Sequence, residues 1–220
     1  MKLSLIGAGL ALAFGGAQAL TLDFGNGLAA PSICSSNNDG SGALVGCGNY
    51  GLINQGYGDV AGIVDVTYSQ PLNPALSLRW WSTDYNDLYG VLWADGGNGP
   101  ASHARIELKP LNGDGITLTS FDFGAYFHTT RGTNIDIYTI GGVVPLYSFV
   151  GNVGAEPNHT SFAVNVSSAN GLWIDWQNSA FNVGIDNVTF NTAAVPEPQT
   201  YALMLGGLVV VGALARRRRG

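Results

Sequence analysis

The sequence predicts an all-β protein, an antiparallel β-sandwich, and three observations carry that expectation. From Ile63 to Phe190 apolar residues recur at every second position, as in Phe162-Ala163-Val164-Asn165-Val166-Ser167. That spacing sets Phe162, Val164 and Val166 on one face of a strand, because successive side chains of extended backbone point to opposite sides. Asn73-Pro74, Asp95-Gly96-Gly97-Asn98-Gly99-Pro100, Asn112-Gly113-Asp114-Gly115, Gly141-Gly142 and Asn170-Gly171 punctuate the runs and have the chemistry of tight turns. No amphipathic stretch of about 10 residues or more lies between the two ends of the chain, so a parallel sheet would lack its crossover helices.

Taken in order, the chain opens on Lys2, an apolar run from Leu3 to Phe14, and Ala17-Gln18-Ala19. A positive residue, an apolar segment and small residues at Ala17 and Ala19 are the parts of a secretory signal peptide, so residues 1–19 are expected to be removed. The first strand is then Leu20-Thr21-Leu22-Asp23-Phe24. Cys34 and Cys47 are the two cysteines, and an even pair in an exported chain predicts a disulfide. Closing its loop of about 14 residues is worth about 3 kcal/mol in the chain-entropy model. Inside the loop, Asn37-x-Asp39-x-Ser41-Gly42 imitates the start of a calcium loop, but Gly48 stands where the bidentate acid is required, which predicts a polar turn.

Further strand faces are expected at Val64/Val66/Tyr68, Leu76/Leu78/Trp80, Tyr89/Val91/Trp93, Ala104/Ile106/Leu108, Phe121/Phe123/Ala125, Ile135/Ile137, Leu146/Ser148/Val150, Leu172/Ile174/Trp176 and Val188/Phe190. Adjacent strand residues face opposite ways, so Trp81 is turned outward when Trp80 is turned in. Trp173 is likewise out of phase with Leu172, Ile174 and Trp176. An outward aromatic ring can stack on the apolar face of a sugar, which makes Trp81 and Trp173 candidate glycan-binding residues.

Charge narrows the partners. Residues 20–195 hold all but one of the 15 acids but only Arg79, Arg105, Lys109 and Arg131 among the nine bases, which excludes a nucleic-acid partner. His103, His128 and His159 are the histidines; no two are four apart, and neither H-E-x-x-H nor G-x-S-x-G occurs. Asp84 with Asp87, or Asp175 with Asp186, are the carboxylate pairs that a glycoside hydrolase would need. Without a further nucleophile and base in a recognisable pattern, the sequence predicts no enzyme and no catalytic residue.

The end of the chain is different in kind. Val195-Pro196-Glu197-Pro198 interrupts any regular structure, the uncharged run Tyr201 to Ala215 follows, and Arg216-Arg217-Arg218-Arg219 close it. As a helix the apolar run would be about 22 Å long, short of a hydrocarbon core of about 30 Å, and the arginines favour a cytoplasmic end. These residues resemble the PEP-CTERM sorting signal of bacterial exported proteins. The resemblance implies recognition by an exosortase-type membrane transpeptidase, a precursor held at the inner membrane by the C-terminal helix, cleavage near Pro196–Pro198, and release to the cell surface or the extracellular space. The organisation expected is a signal peptide (1–19), a β-sandwich domain (20–192) and a sorting segment (193–220).

A second resemblance lies in the body. Ile106-Glu107-Leu108-Lys109-Pro110, the run from Gly115 to Gly124, and Gly184-Ile185-Asp186-Asn187-Val188-Thr189-Phe190 resemble the jelly-roll bodies common among PEP-CTERM proteins. Those are similar to galactose-binding-like and carbohydrate-binding sandwiches, in which the last strand pairs close to the first. The resemblance implies an association with exopolysaccharide or biofilm and a structural calcium near Asp23 and Asp186. A matrix protein without a specific ligand and a glycoside hydrolase are the alternatives.

Overall fold

In a computed structural model the described residues are 18–25, 31–97, 99–111 and 113–193. The expected signal and tail helices, with Ala17 and the sorting residues Val195 to Arg219, lie outside them. The described residues form β1 (Gln18–Leu22), β2 (Cys34–Ser35), β3 (Leu44–Val45), β4 (Leu52–Ile53), β5 (Val64–Ser69), β6 (Arg79–Trp81), β7 (Val91–Trp93), β8 (His103–Pro110), β9 (Gly115–Ala125), β10 (Arg131–Thr139), β11 (Pro145–Val153), β12 (Thr160–Ser168), β13 (Leu172–Gln177) and β14 (Val183–Ala193). They contain no helix long and apolar enough to cross a membrane.

Two sheets face each other. One has nine strands in the order β12-β9-β14-β7-β6-β4-β2-β3, with β1 also paired to β14; the other runs β11-β10-β13-β8-β5. Every named pair is antiparallel. The period-two pattern explains why they stack. Val64, Val66 and Tyr68, with Ala104, Ile106, Leu108, Leu172, Ile174 and Trp176, line the inside of the smaller sheet, and Leu118, Phe121, Phe123, Ile185 and Phe190 line the larger. Phe123 and Trp176 meet across the gap at 5.6 Å between ring centroids. Each such side chain fully buried contributes about 1.5–3 kcal/mol, which is why the alternation is kept on both sheets.

Two expected faces are corrected. Leu146 and Val150 point outward, 47% and 79% exposed, and Tyr147 and Phe149 pack against the core instead. Tyr147 and Phe149 stand opposite the buried Ile137 and Ile135 of β10 and so share its core face, where their larger rings bury more area than Leu and Val would. In β7 it is Leu92 that enters the space between the sheets, while Val91 and Trp93 turn to the far side and Tyr89 stays exposed.

That far side carries a second, smaller apolar cluster of Tyr85, Leu88, Val91 and Trp93, with half-buried Trp81, Tyr126 and Phe181 around it. The segment between β6 and β7 folds back over the sheet to cover it, closed by Gly90 N–H donating to Ser82 O at 2.9 Å. Glycine is required beneath it. A Cβ on Gly124 would sit 2.3 Å from the Tyr85 carbonyl oxygen, and one on Gly184 would sit 2.5 Å from Val91 Cγ2.

Candidate functional site

Trp81 leaves β6 on the outer side of the nine-stranded sheet, the position its parity predicts, while Trp80 enters the core and donates its indole N–H to Phe24 O at 2.7 Å. Around Trp81 stand rings from separate parts of the chain: Tyr50 at 4.9 Å, Tyr126 at 5.6 Å and Trp93 at 6.3 Å, each close to perpendicular to it. Phe181 closes on Trp93 at 5.0 Å. Edge-to-face packing sets the positive edge of one ring on the negative face of the next, so the rings brace each other.

Together Tyr50, Trp81, Tyr85, Trp93, Tyr126 and Phe181 line a cavity of about 40 Å³. Tyr50 is 57% exposed, so the rim reaches solvent, whereas Trp93 is almost fully covered. Both the Trp81 and the Trp93 Nε1–H are buried without an acceptor. An unpaired buried donor costs about 1–3 kcal/mol, and native structures keep few of them without a reason.

The walls are held rigidly. Tyr85 donates its hydroxyl to Phe181 O at 2.9 Å, and burial, then the neighbouring Tyr126 and Tyr50, push its ionisation well above the usual tyrosine range, so it stays a neutral donor. Arg79 Nε spans both carboxylate oxygens of Asp95 at 2.7 and 2.8 Å, and its Nη1 donates to Tyr50 O at 2.9 Å. Tyr50 has a φ of 72°, a left-handed conformation that side chains other than glycine adopt at a cost. Cys34 and Cys47 are bonded, as the sequence predicts, with Cα atoms 5.1 Å apart, which anchors the segment leading to Tyr50.

Trp173 also faces outward, on β13 of the five-stranded sheet, but in other company. Its Nε1–H donates to Glu107 Oε2 at 2.5 Å, and Arg105 lies over its ring with Cζ 4.0 Å from the centroid. Arg105 in turn forks onto Asp175 through Nε at 2.6 Å and Nη2 at 2.7 Å, and His103 Nε2 reaches the same carboxylate at 3.2 Å. Burial opposes the Asp175 charge, but these bonds outweigh it and hold the carboxyl below its ordinary range. Donors and acceptors on this face satisfy one another.

Asp23 and Asp186 are brought together where β1 meets β14, as the expected pairing of first and last strands requires. Asp186 Oδ1 accepts from Phe24 N–H at 3.0 Å and Asp23 Oδ1 from Gly25 N–H at 2.9 Å, so each already spends an oxygen on backbone. Burial, with the nearby Asp23 and Asp122 charges, pushes Asp186 up to about 7 although two backbone donors pull it down. Among the described residues no three acids, histidines or cysteines converge as metal ligands. Asp39 forms the expected polar turn, accepting from Ser41 N–H at 3.0 Å and Ser41 Oγ–H at 2.7 Å.

Asp175 and Asp186 belong to different sheets. Asp84 approaches His128 at 3.4 Å, while Asp87 faces His159. The latter histidine lies between Asp87 Oδ1, 2.8 Å from Nδ1, and Ser161 Oγ, 3.2 Å from Nε2. Asp122 Oδ1 is also 3.6 Å from that Nε2, a carboxylate on the side where a general base must be bare.

The sandwich with an aromatic cavity on one outer face is the globular part of a chain whose end carries a second identity. The PEP-CTERM protein-sorting motif matches residues 194–219, and it marks the chain for export and for processing by an exosortase-type system. No curated protein matches the chain. Among solved structures the chain is similar to a Podospora anserina GH26-CBM35 β-(1,4)-mannanase, at 15% identity over 62% of this chain and 29% of that one, with a TM-score of 0.34. It is also similar to a CBM4 structure, at 15% identity over 59% and 83% of the two chains with a TM-score of 0.31. A family 29 carbohydrate-binding module from Piromyces equi is 19% identical over 63% and 95%, with a TM-score of 0.28.

Proposed function

We propose that the body is a non-enzymatic, jelly-roll glycan-binding module, sorted to the cell surface or extracellular matrix, where it holds the producer's own exopolysaccharide. The observation that carries this is the aromatic cavity, whose walls are rings from separate segments and whose rim reaches solvent at Tyr50. Apolar walls with a few convergent polar groups are what a small-molecule or sugar site requires.

Cleavage after Ala19 leaves Leu20 to Leu22 paired with β14, so the processed body keeps its first strand. Retention of the exported protein on polysaccharide from its own cells, with loss of retention in Trp81→Ala at unchanged thermal stability, tests the proposal. No retention on that polysaccharide or on any other would leave the purely structural role.

A hydrolase is the second reading, favoured by one observation, the Asp87–His159–Ser161 order of acid, imidazole and hydroxyl. Labelling of Ser161 by a fluorophosphonate, lost in His159→Ala, would establish it.

A further inference from the structure

The two sheet paths end in four strands, β12 and β3 on one sheet and β11 and β5 on the other. An open edge is a row of unpaired N–H and C=O groups that can pair with another chain, so folded proteins blunt it. Three of these four edges are blunted. On β5, Asp59 Oδ1 accepts from Val66 N–H at 2.8 Å, and Gln55 accepts from Tyr68 N–H at 2.8 Å while donating to Tyr68 O at 2.7 Å. β12 loses register between Ala163 and Val166, where Asn165 takes a φ of 52°, and β3 has two residues. β11 has nine residues with Pro145 only at its start, and among the described residues no side chain bonds its backbone from Leu146 to Val153.

Charge singles out the same side. No charged residue occurs from Ile140 to Ala155 or from Thr160 to Ser168, so β11 and β12, which meet through Phe149 and Phe162 at 5.0 Å between ring centroids, are both neutral. Two copies of a body whose acids far outnumber its bases repel where those acids meet, and this side is where they can approach. Asp136 of β10, opposite Ser148, lies one strand further in. Across a pair of β11 strands the two Asp136 carboxylates would be three strand spacings apart, about 14 Å, beyond the Debye length of about 8 Å.

The strand also complements itself. Outward from Ser148 the residue kinds repeat in both directions, Tyr147 and Phe149 packed on the core, then Leu146 and Val150 exposed. Antiparallel pairing about a two-fold axis through Ser148 sets Leu146 against Val150 of the second copy and Tyr147 against its Phe149, aliphatic on aliphatic and ring on ring. We propose that β11 is a dimerisation edge, where two copies of this chain join their five-stranded sheets into one with Ser148 on the two-fold axis. The interface is separate from the aromatic cavity and does not depend on glycan binding.

Light scattering on the exported protein purified from the producing cells reads the dimer as a mass of two chains. Val150→Lys puts a charge on an exposed side chain of this edge, so a mass of one chain is expected with the melting temperature unchanged, while Leu44→Lys, also exposed but on the β3 edge, keeps the mass of two. Opposed residues of an antiparallel pair have Cα atoms about 4.5–5.5 Å apart, within disulfide reach. Ser148→Cys is therefore expected to cross-link two copies under mild oxidation, and Leu146→Cys, which faces Val150 of the second copy, is not. A mass of one chain at every concentration would overturn the proposal. So would a dimer that persists in Val150→Lys, or one that Ser148→Cys fails to cross-link.

Discussion

The outer faces of the two sheets contain the same kinds of group and treat them oppositely. On the five-stranded sheet Trp173 gives its N–H to Glu107, Arg105 covers its ring, and Asp175 is gripped by Arg105 and His103. On the nine-stranded sheet the Trp81 and Trp93 donors are unpaired, and the buried carboxyl of Asp186 has backbone donors but no cation. A polar surface that has closed its own bonds gains little from a ligand, whereas exposed aromatic faces keep an apolar area that a stacked sugar can cover. Under the proposed function, binding belongs to the ring-lined face and stability to the self-bonded one.

The largest expected effect comes from opening the closed face. Asp175→Asn leaves Arg105 without its carboxylate in a largely buried position, and breaking such a pair costs about 3–5 kcal/mol. Because the folded-state carboxyl is held below its unfolded value, the stabilisation is present above the ordinary carboxylate range and disappears as pH falls through the folded value. Urea unfolding should thus separate wild type from variant most widely at pH 7 and progressively less as the pH is lowered through the carboxylate range. Equal midpoints at pH 7 would show that the five-stranded face is not held by this network.

The opposite sign is expected at Asp186. Its folded-state value is raised to about 7, so from about pH 4 upward the unfolded chain releases a proton that the folded one retains, and stability falls until about pH 7. The full difference is up to about 4 kcal/mol. Asp186→Asn, whose amide oxygen can still accept from Phe24 N–H, should flatten that fall and be the more stable protein at pH 8. A variant less stable than wild type at pH 8 would mean that the carboxylate is wanted there, as a bound cation would make it.

Removing the disulfide with Cys34→Ala and Cys47→Ala together should cost about 3 kcal/mol in the chain-entropy model. It should also weaken glycan binding several-fold, through the Tyr50 wall, while leaving Trp173 unaffected. Calorimetry below the melting temperature would sharpen the comparison, since a pure stability loss with unchanged affinity would detach the bridge from the cavity.

The sequence made the sandwich and most of its inward faces legible because burial on one side of a strand imposes period two, and Phe121, Ile106 and Ile174 obey it. It also placed Trp81 and Trp173 outward, paired the first strand with the last, and joined the cysteines. It misassigned β11, whose core face is set by the partner residues Ile135 and Ile137 across from Phe149 and Tyr147, and β7, which is covered on both sides. The cavity itself was hidden because Tyr50, Tyr85, Tyr126 and Phe181 come from four separate segments, and no local pattern records that they meet. One signal was available: the density of aromatic residues between Trp80 and Trp93 exceeds what an inward face of such short strands can use. Nor does parity tell an open outward tryptophan from one that its neighbours have already engaged.

The indole N–H resonances of the five tryptophans, followed by proton–nitrogen NMR as the producer's exopolysaccharide is added, test the central claim most directly. The account predicts that the Trp81 and Trp93 signals move on saturation as a glycan covers the cavity their rings line, while the Trp173 signal, already bonded to Glu107, stays in place. Movement of Trp173 with Trp81 and Trp93 stationary would contradict it and transfer the binding face to the five-stranded sheet.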